Sequence, residues 1–170
     1  MEVHEKIYLL VETVCRDLYL KSLKEIPPDI VEAIQRAAAT ETREVARRIF
    51  SHYLQSIALG RDQNMMVCQD TGIPIYWVEI GGNLRLDGSK LTDAIVRGTE
   101  RATREHPLRS SIVSPLKREN RQTNTGERIP IIHYDFGRDS DVLDILFMPK
   151  GSGSENMSFL RMLTPAAGLV

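Results

Sequence analysis

Apolar positions recur at helical spacing from the start of the chain, where Ile7, Leu10, Val11, Val14 and Leu18 form one stripe, and this period predicts a helix over residues 3–26. Pro27-Pro28-Asp29 breaks that helix and offers a cap for the next. From Asp29 to about Ala58 helix formers dominate, with Ala46, Ile49, Tyr53 and Ile57 on one face and charges opposite, so the helical layer extends over residues 3–59. Past a polar connector at Gly60–Met66 the texture changes. Ile73 to Ile80 is rich in β-branched and aromatic residues and ends at Gly81-Gly82, which predicts a strand closed by a turn. Leu91, Ile95, Gly98 and Ala102 restore the helical period between Ser89, a candidate cap, and Pro107, which forbids continuation. Ile129–Phe136 and Val142–Met148 read as strands joined by the turn-prone Gly137-Arg138-Asp139-Ser140, and are expected to pair as a hairpin. The second leads into Lys150–Asn156, after which Met157–Leu163 is expected to begin a short helix. The predicted class is α+β: a helical N-terminal region (residues 1–59) followed by a mixed α/β region with a small β-sheet (residues 60–170), together one continuous domain. Its apolar last residues, Thr164 to Val170, are read as a truncated C-terminus.

Composition narrows the possible partners. The chain has 170 residues, enough for one domain with a real core. Its 22 Lys and Arg against 23 Asp and Glu leave no long-range basic field, so nucleic acid and anionic lipid are not expected partners. The charged stretch Thr40–Arg48 mixes Glu41 and Glu44 with Arg43, Arg47 and Arg48, which suits a solvated helix face better than an RNA contact. No apolar run approaches the roughly 18 residues that span a bilayer, and the N-terminus lacks the pattern of a signal peptide, so a cytoplasmic location without membrane attachment is expected.

Only two cysteines are present, with neither a CxxC spacing nor a local metal partner. Cys15 lies in the first apolar stripe and reads as a core residue. Cys68 lies in the loop Met66-Val67-Cys68-Gln69-Asp70-Thr71-Gly72, where a soft thiolate, an amide and a carboxyl occur in succession before a glycine that permits a sharp turn. The plainer reading is a turn in which Asp70 caps backbone amides. Lys150-Gly151-Ser152-Gly153-Ser154-Glu155-Asn156 lacks the Gly-Lys-Ser/Thr ending of a nucleotide loop, but its backbone N–H groups could converge on a carboxylate; the alternative is a surface turn. Arg109 carries a planar fork suited to gripping a carboxylate, although a lone arginine is more often a surface residue. Arg118–Gly126 is polar and turn-forming and could equally be a loop that orders against a neighbouring subunit or the active site, while His106 and His133, isolated in sequence, read by default as structural or surface residues.

Taken in order, Cys68-Gln69-Asp70-Thr71-Gly72, Leu108-Arg109-Ser110-Ser111, Asn120–Gly126 and Lys150–Asn156 resemble the iron–sulfur class I fumarase and tartrate dehydratase family, specifically the front part of its α subunit or N-terminal catalytic domain. The resemblance implies a 4Fe-4S cluster held by three cysteines, with its open iron acting as a Lewis acid on the substrate hydroxyl. Cys68 matches the first of those metal ligands. Gln69 and Asp70 match dicarboxylate contacts, Arg109 a carboxylate clamp, and Gly151 a backbone donor; Asp70 is the candidate for proton transfer on the hydroxyl side. The other two cluster cysteines of the family, and its β subunit or C-terminal domain, have no counterpart in these 170 residues, so the chain alone is expected to be inactive and free of cluster, and to work in a homo- or hetero-oligomer. Ser152 stands where the family pattern leads one to expect glycine.

The implied reaction is reversible hydration of fumarate to malate. L-Tartrate dehydration by a related α subunit is the nearest alternative. A non-catalytic assembly domain, and a cysteine-nucleophile enzyme pairing Cys68 with His106 or His133, are the readings from other classes.

Overall fold

The computed structural model describes residues 2–168; Leu169 and Val170, the end of the apolar terminus, lie outside the described residues. Helix α1 (Glu2–Lys24) follows the first stripe. The single helix expected from Asp29 to Ala58 is instead two, α2 (Pro28–Thr40) and α3 (Glu44–Gln63), and the helical region runs past residue 59. The break has a local cause. Glu41 is extended, and its carboxylate accepts both the Thr42 and Arg43 N–H groups at 2.9 Å, while the Thr40 hydroxyl donates back to Arg36 and Ala37 carbonyls. Side chains thus satisfy backbone groups that a continuous helix would have used.

Strand β1 (Ile73–Ile80) and helix α4 (Gly88–Glu105) lie where periodicity places them. The cap of α4 is Asp87 rather than Ser89: its carboxylate accepts the Ser89 and Lys90 N–H groups at 2.9 and 3.3 Å. The expected hairpin does not form. Strands β2 (Ile131–Phe136) and β3 (Leu143–Lys150) both pair with β1, β2 in parallel and β3 antiparallel, giving the order β2-β1-β3. Residues 137–142 cross the end of β1 instead of turning back, with Gly137 N–H donating to the Ile80 carbonyl and Gly81 N–H to Val142. Two strand spacings are only about 10 Å, a distance that this link covers easily. Gly81 makes the crossing possible, since a Cβ there would lie 2.2 Å from the Ser140 carbonyl oxygen. Hairpin pairing would have left one edge of β1, with its buried Tyr76 and Val78, unpaired.

One face of the sheet packs on α1 and α4, which run side by side. Tyr8, Val11, Cys15, Tyr76, Val78, Leu91, Ala94 and Ile95 are buried in this core. Burial pushes the Cys15 thiol up to about 12, in keeping with its expected place in the core. The opposite face carries Ile73, Trp77, Ile131, Leu146 and Met148, all partly exposed, with Trp77 stacked on His133 at 5.4 Å. The Gly-rich segment forms a short helix α5 (Ser152–Asn156), and the helix expected over Met157–Leu163 is absent; those residues are exposed and irregular. A 3-10 turn follows at Pro165–Ala167. No helix among the described residues is long and apolar enough to cross a membrane.

The helix pair is pinned by Glu12 of α1, which receives Arg97 Nε at 2.8 Å and Arg101 at 3.0 Å from α4. Burial alone would raise the Glu12 pKa, but the hydrogen bonds and charges of the two arginines outweigh it and hold the carboxyl below its ordinary value. The folded value is depressed, so this contribution to stability is present above the unfolded pKa and is lost as pH falls through the folded one. Thermal melting between pH 7 and pH 3 is expected to show a steeper acid loss for the native chain than for Glu12→Gln. Parallel profiles would remove Glu12 from the account of acid stability.

Candidate functional site

The site residues come together because of the sheet. Antiparallel pairing sets Ile73 opposite Lys150, so the loop entering β1 and the loop leaving β3 lie side by side at one end. The loop that feeds the parallel strand β2 reaches that end too, as does the chain leaving α4. Four segments far apart in sequence therefore converge on the N-terminal end of β1.

Gly72 permits the turn into the strand. Its φ is +68°, and a Cβ there would meet the Lys150 nitrogen at 2.8 Å, so only glycine fits without a shift of backbone. Just before it, Asp70 braces two loops: Oδ1 accepts Gly72 N–H at 3.1 Å, and Oδ2 accepts the Ser152 N–H at 3.1 Å and hydroxyl at 3.2 Å. The backbone cradle expected to receive an external carboxylate thus receives Asp70, through Ser152. Gly151 sits against this contact, where a Cβ would come within 3.2 Å of Asp70 Oδ2, and its carbonyl accepts from Ser154. Oδ1 bonds one N–H and keeps a lone-pair direction for a proton.

Thr71 is fully buried below the loop. Its hydroxyl donates to the Arg109 carbonyl at 2.6 Å and lies 3.1 Å from Ser111 Oγ, while its own carbonyl accepts the Tyr19 hydroxyl at 3.2 Å. Burial pushes Tyr19 up to about 12, with the Asp70 charge adding to it, so this phenol stays a donor at neutral pH. Asn124, also fully buried and with φ +54°, receives Ser111 N–H on Oδ1 at 2.8 Å and donates Nδ2 to Arg109 O at 3.2 Å. Asn120 closes the next turn, exchanging hydrogen bonds with Ser110 at 2.8 and 2.9 Å.

Above this polar network the chemically capable groups face solvent. Cys68 is an exposed free thiol whose sulfur accepts Asp70 N–H at 3.4 Å; Gln69 and Arg109 are exposed as well. A cleft of about 520 Å³ between residues 112 and 129 is lined by none of Cys68, Gln69, Asp70, Arg109 and Gly151. The partner of Cys68 is a backbone amide, His133 stacks on Trp77 on the sheet face, and among the described residues neither His106 nor His133 hydrogen-bonds to the thiol as a cysteine nucleophile's base would. A cubane cluster needs several soft donors at once. Cys68 fits one corner; Cys15 is buried in the core, and no group of three possible metal ligands occurs among the described residues. Of the chain's two cysteines, Cys68 alone is exposed to offer a thiolate to such a group. Sequence reasoning had marked the exposed groups but missed Thr71, Ser111 and Asn124 as their supports, because nothing in a linear pattern separates a buried threonine or asparagine from a solvated one.

A family model described as fumarate hydratase (Fumerase) matches residues 12–170. A putative L(+)-tartrate dehydratase subunit alpha from Methanocaldococcus jannaschii is 34% identical over 161 residues, covering 94% of this chain and 56% of that protein. The L(+)-tartrate dehydratase subunit alpha of Escherichia coli K12 is 27% identical over 143 residues, covering 84% of this chain and 47% of its own length. The chain spans about half the length of these curated relatives.

Proposed function

The chain belongs to the fumarate hydratase (Fumerase) family, and on that premise we propose that it is the N-terminal part of an iron–sulfur hydro-lyase α subunit that reversibly hydrates fumarate to malate. The observation that carries this reading is the convergence of the four segments: Thr71 ties the Cys68 loop to Arg109, and Asp70 ties it to the glycine-rich loop. Residues 1–59 and 60–170 act as one continuous domain in this reading, since α1 covers the sheet that aims the loops. Cys68 supplies one thiolate, and further cysteines and a β subunit or C-terminal domain supply the rest of the site. When bound, a 4Fe-4S cluster contributes Lewis-acid pull on the leaving hydroxyl.

The work of this chain's own residues follows from their chemistry. Loss of water from malate requires removal of a weakly acidic proton beside a carboxylate and departure of hydroxide, so negative charge grows on the carboxylate side. Arg109 grips that carboxylate through two parallel N–H bonds, and Gln69 and the Gly151 backbone orient the other end. Asp70 gives a proton to the departing oxygen and takes it back in hydration, through the free direction on Oδ1, while the base that takes the C–H proton is supplied from outside these residues. Its bonds to Gly72 and Ser152 hold the carboxyl in place for that transfer.

A second reading, L-tartrate dehydration, is supported by the names of the two relatives above. Both substrates are hydroxy-dicarboxylates and present the same two carboxylates to Arg109 and the loop. Assay of the assembled enzyme with malate and with L-tartrate separates the two. In either case Arg109→Ala is expected to leave cluster content and melting unchanged and to weaken dicarboxylate binding about 10–100-fold, the scale of one charge-assisted pair. Undiminished binding would remove Arg109 from the site.

A further inference from the structure

We propose that Asn124 is a positioning residue for Arg109, setting where the guanidinium leaves the backbone relative to the Cys68–Asp70 loop; this rests on the reading of Arg109 as a carboxylate clamp. Arg109 is exposed, and among the described residues no side-chain hydrogen bond or ion pair to its guanidinium is found, so its aim depends on its backbone. That backbone is fixed from two sides. The Arg109 carbonyl accepts Thr71 Oγ1 at 2.6 Å and Asn124 Nδ2 at 3.2 Å, while two residues on the Ser111 N–H is taken by Asn124 Oδ1 at 2.8 Å. Ser111 Oγ lies 3.1 Å from Thr71 Oγ1, which closes a ring of Thr71, Arg109, Asn124 and Ser111.

The ring needs an asparagine. Its amide meets an acceptor, the Arg109 carbonyl, and a donor, the Ser111 N–H, at once, and its second Nδ2 hydrogen goes to Thr103 Oγ1 at 3.3 Å. Aspartate would set a second acceptor against the Arg109 carbonyl. The left-handed backbone, φ +54°, is one that asparagine tolerates better than most side chains. Full burial of Asn124 and Thr71 removes water as a substitute partner, so the ring has one arrangement. Arginine and cluster loop are thereby registered to each other through side chains that touch no substrate.

The test is a double-mutant cycle in the assembled enzyme, reading equilibrium binding of L-malate and of L-tartrate alongside melting temperature. Asn124→Gly keeps the left-handed backbone and removes the amide; it is expected to weaken binding about tenfold, as a displaced clamp does. In an Arg109→Ala background the same substitution is expected to add nothing to the binding loss, because it acts through the arginine. Leu91→Ala, in the core away from the site, serves as a control: it lowers melting and leaves affinity intact. Asn124→Asp, which keeps the Ser111 acceptor and loses the Arg109 donor, is expected to repeat the Asn124→Gly result and serves if the glycine variant does not fold. Additive losses, unchanged affinity in the Asn124 variants, an equal affinity loss in Leu91→Ala, or failure of both Asn124 variants to fold would overturn the proposal and leave Asn124 a stability residue. Unchanged binding in Arg109→Ala alone would instead overturn the clamp reading on which it rests.

Discussion

On the proposed reading of Cys68 as a cluster ligand, its replacement by serine is expected to abolish cluster loading and turnover in the assembled enzyme while leaving the fold of this chain intact. The two halves of that expectation have separate causes. Cys68 is exposed, lies in a loop, and makes one weak contact, an N–H···S bond of 3.4 Å, so its substitution removes no packing. Surface changes of that kind shift stability by less than about 0.5 kcal/mol. A cluster held at Cys68 would, in contrast, depend on thiolate softness, which a serine hydroxyl lacks at neutral pH. Iron and acid-labile sulfide analysis with a malate assay checks the first half, and a melting curve of the 170-residue chain the second. Native iron content in Cys68→Ser would sink the ligand assignment.

A marked effect on the fold is expected at Gly98, in the middle of α4. A Cβ at this position would lie 2.5 Å from the Glu12 carbonyl oxygen and 2.7 Å from Cys15 Cβ, so α4 contacts α1 backbone directly there. Alanine would gain about 1 kcal/mol of helix propensity over glycine. The clash outweighs it, because neither the α1 carbonyl nor the buried Cys15 can move without opening the core, and overpacking of this kind costs about 1–3 kcal/mol. Gly98→Ala is therefore expected to be net destabilising by urea unfolding, and Gly98→Val more so. Gly88→Ala, at the start of the same helix with nothing within 4 Å of the added Cβ, is expected to be neutral or stabilising. A stabilised Gly98→Ala would show that the helix contact is looser than the packing indicates.

The contrast between these two sites indicates which features were readable from the sequence. Cys68, Gln69, Asp70 and Arg109 stood out because the ordered motifs that carry them resemble those of a known family, and Cys15 because it sat in an apolar stripe. Gly98 occupied a position in the same periodic pattern as Leu91 and Ala102, with no sign that its missing side chain, rather than a present one, made the contact. Periodicity likewise located β1 and α4 but not the break at Glu41, which arises when a side chain captures the N–H groups of Thr42 and Arg43. The strand pair after Ile129 was visible as two strands; its partner was not, since pairing depends on which edge of β1 is left open.

The sequence by itself determined the α+β class, most of the elements, the buried thiol and the exposed groups with capable chemistry, because each of these depends on local periodicity or on residue type. Tertiary structure alone decided that β1 lies between β2 and β3, and hence that residues 70, 109, 124 and 152 meet at one end of it. It also turned the buried Thr71 and Asn124 and the half-buried Ser111 from ordinary polar residues into a frame under the candidate site. Hydrogen bonds between loops separated by tens of residues carry no local signature; they exist only once burial of one sheet face has set the strand order and removed competing water.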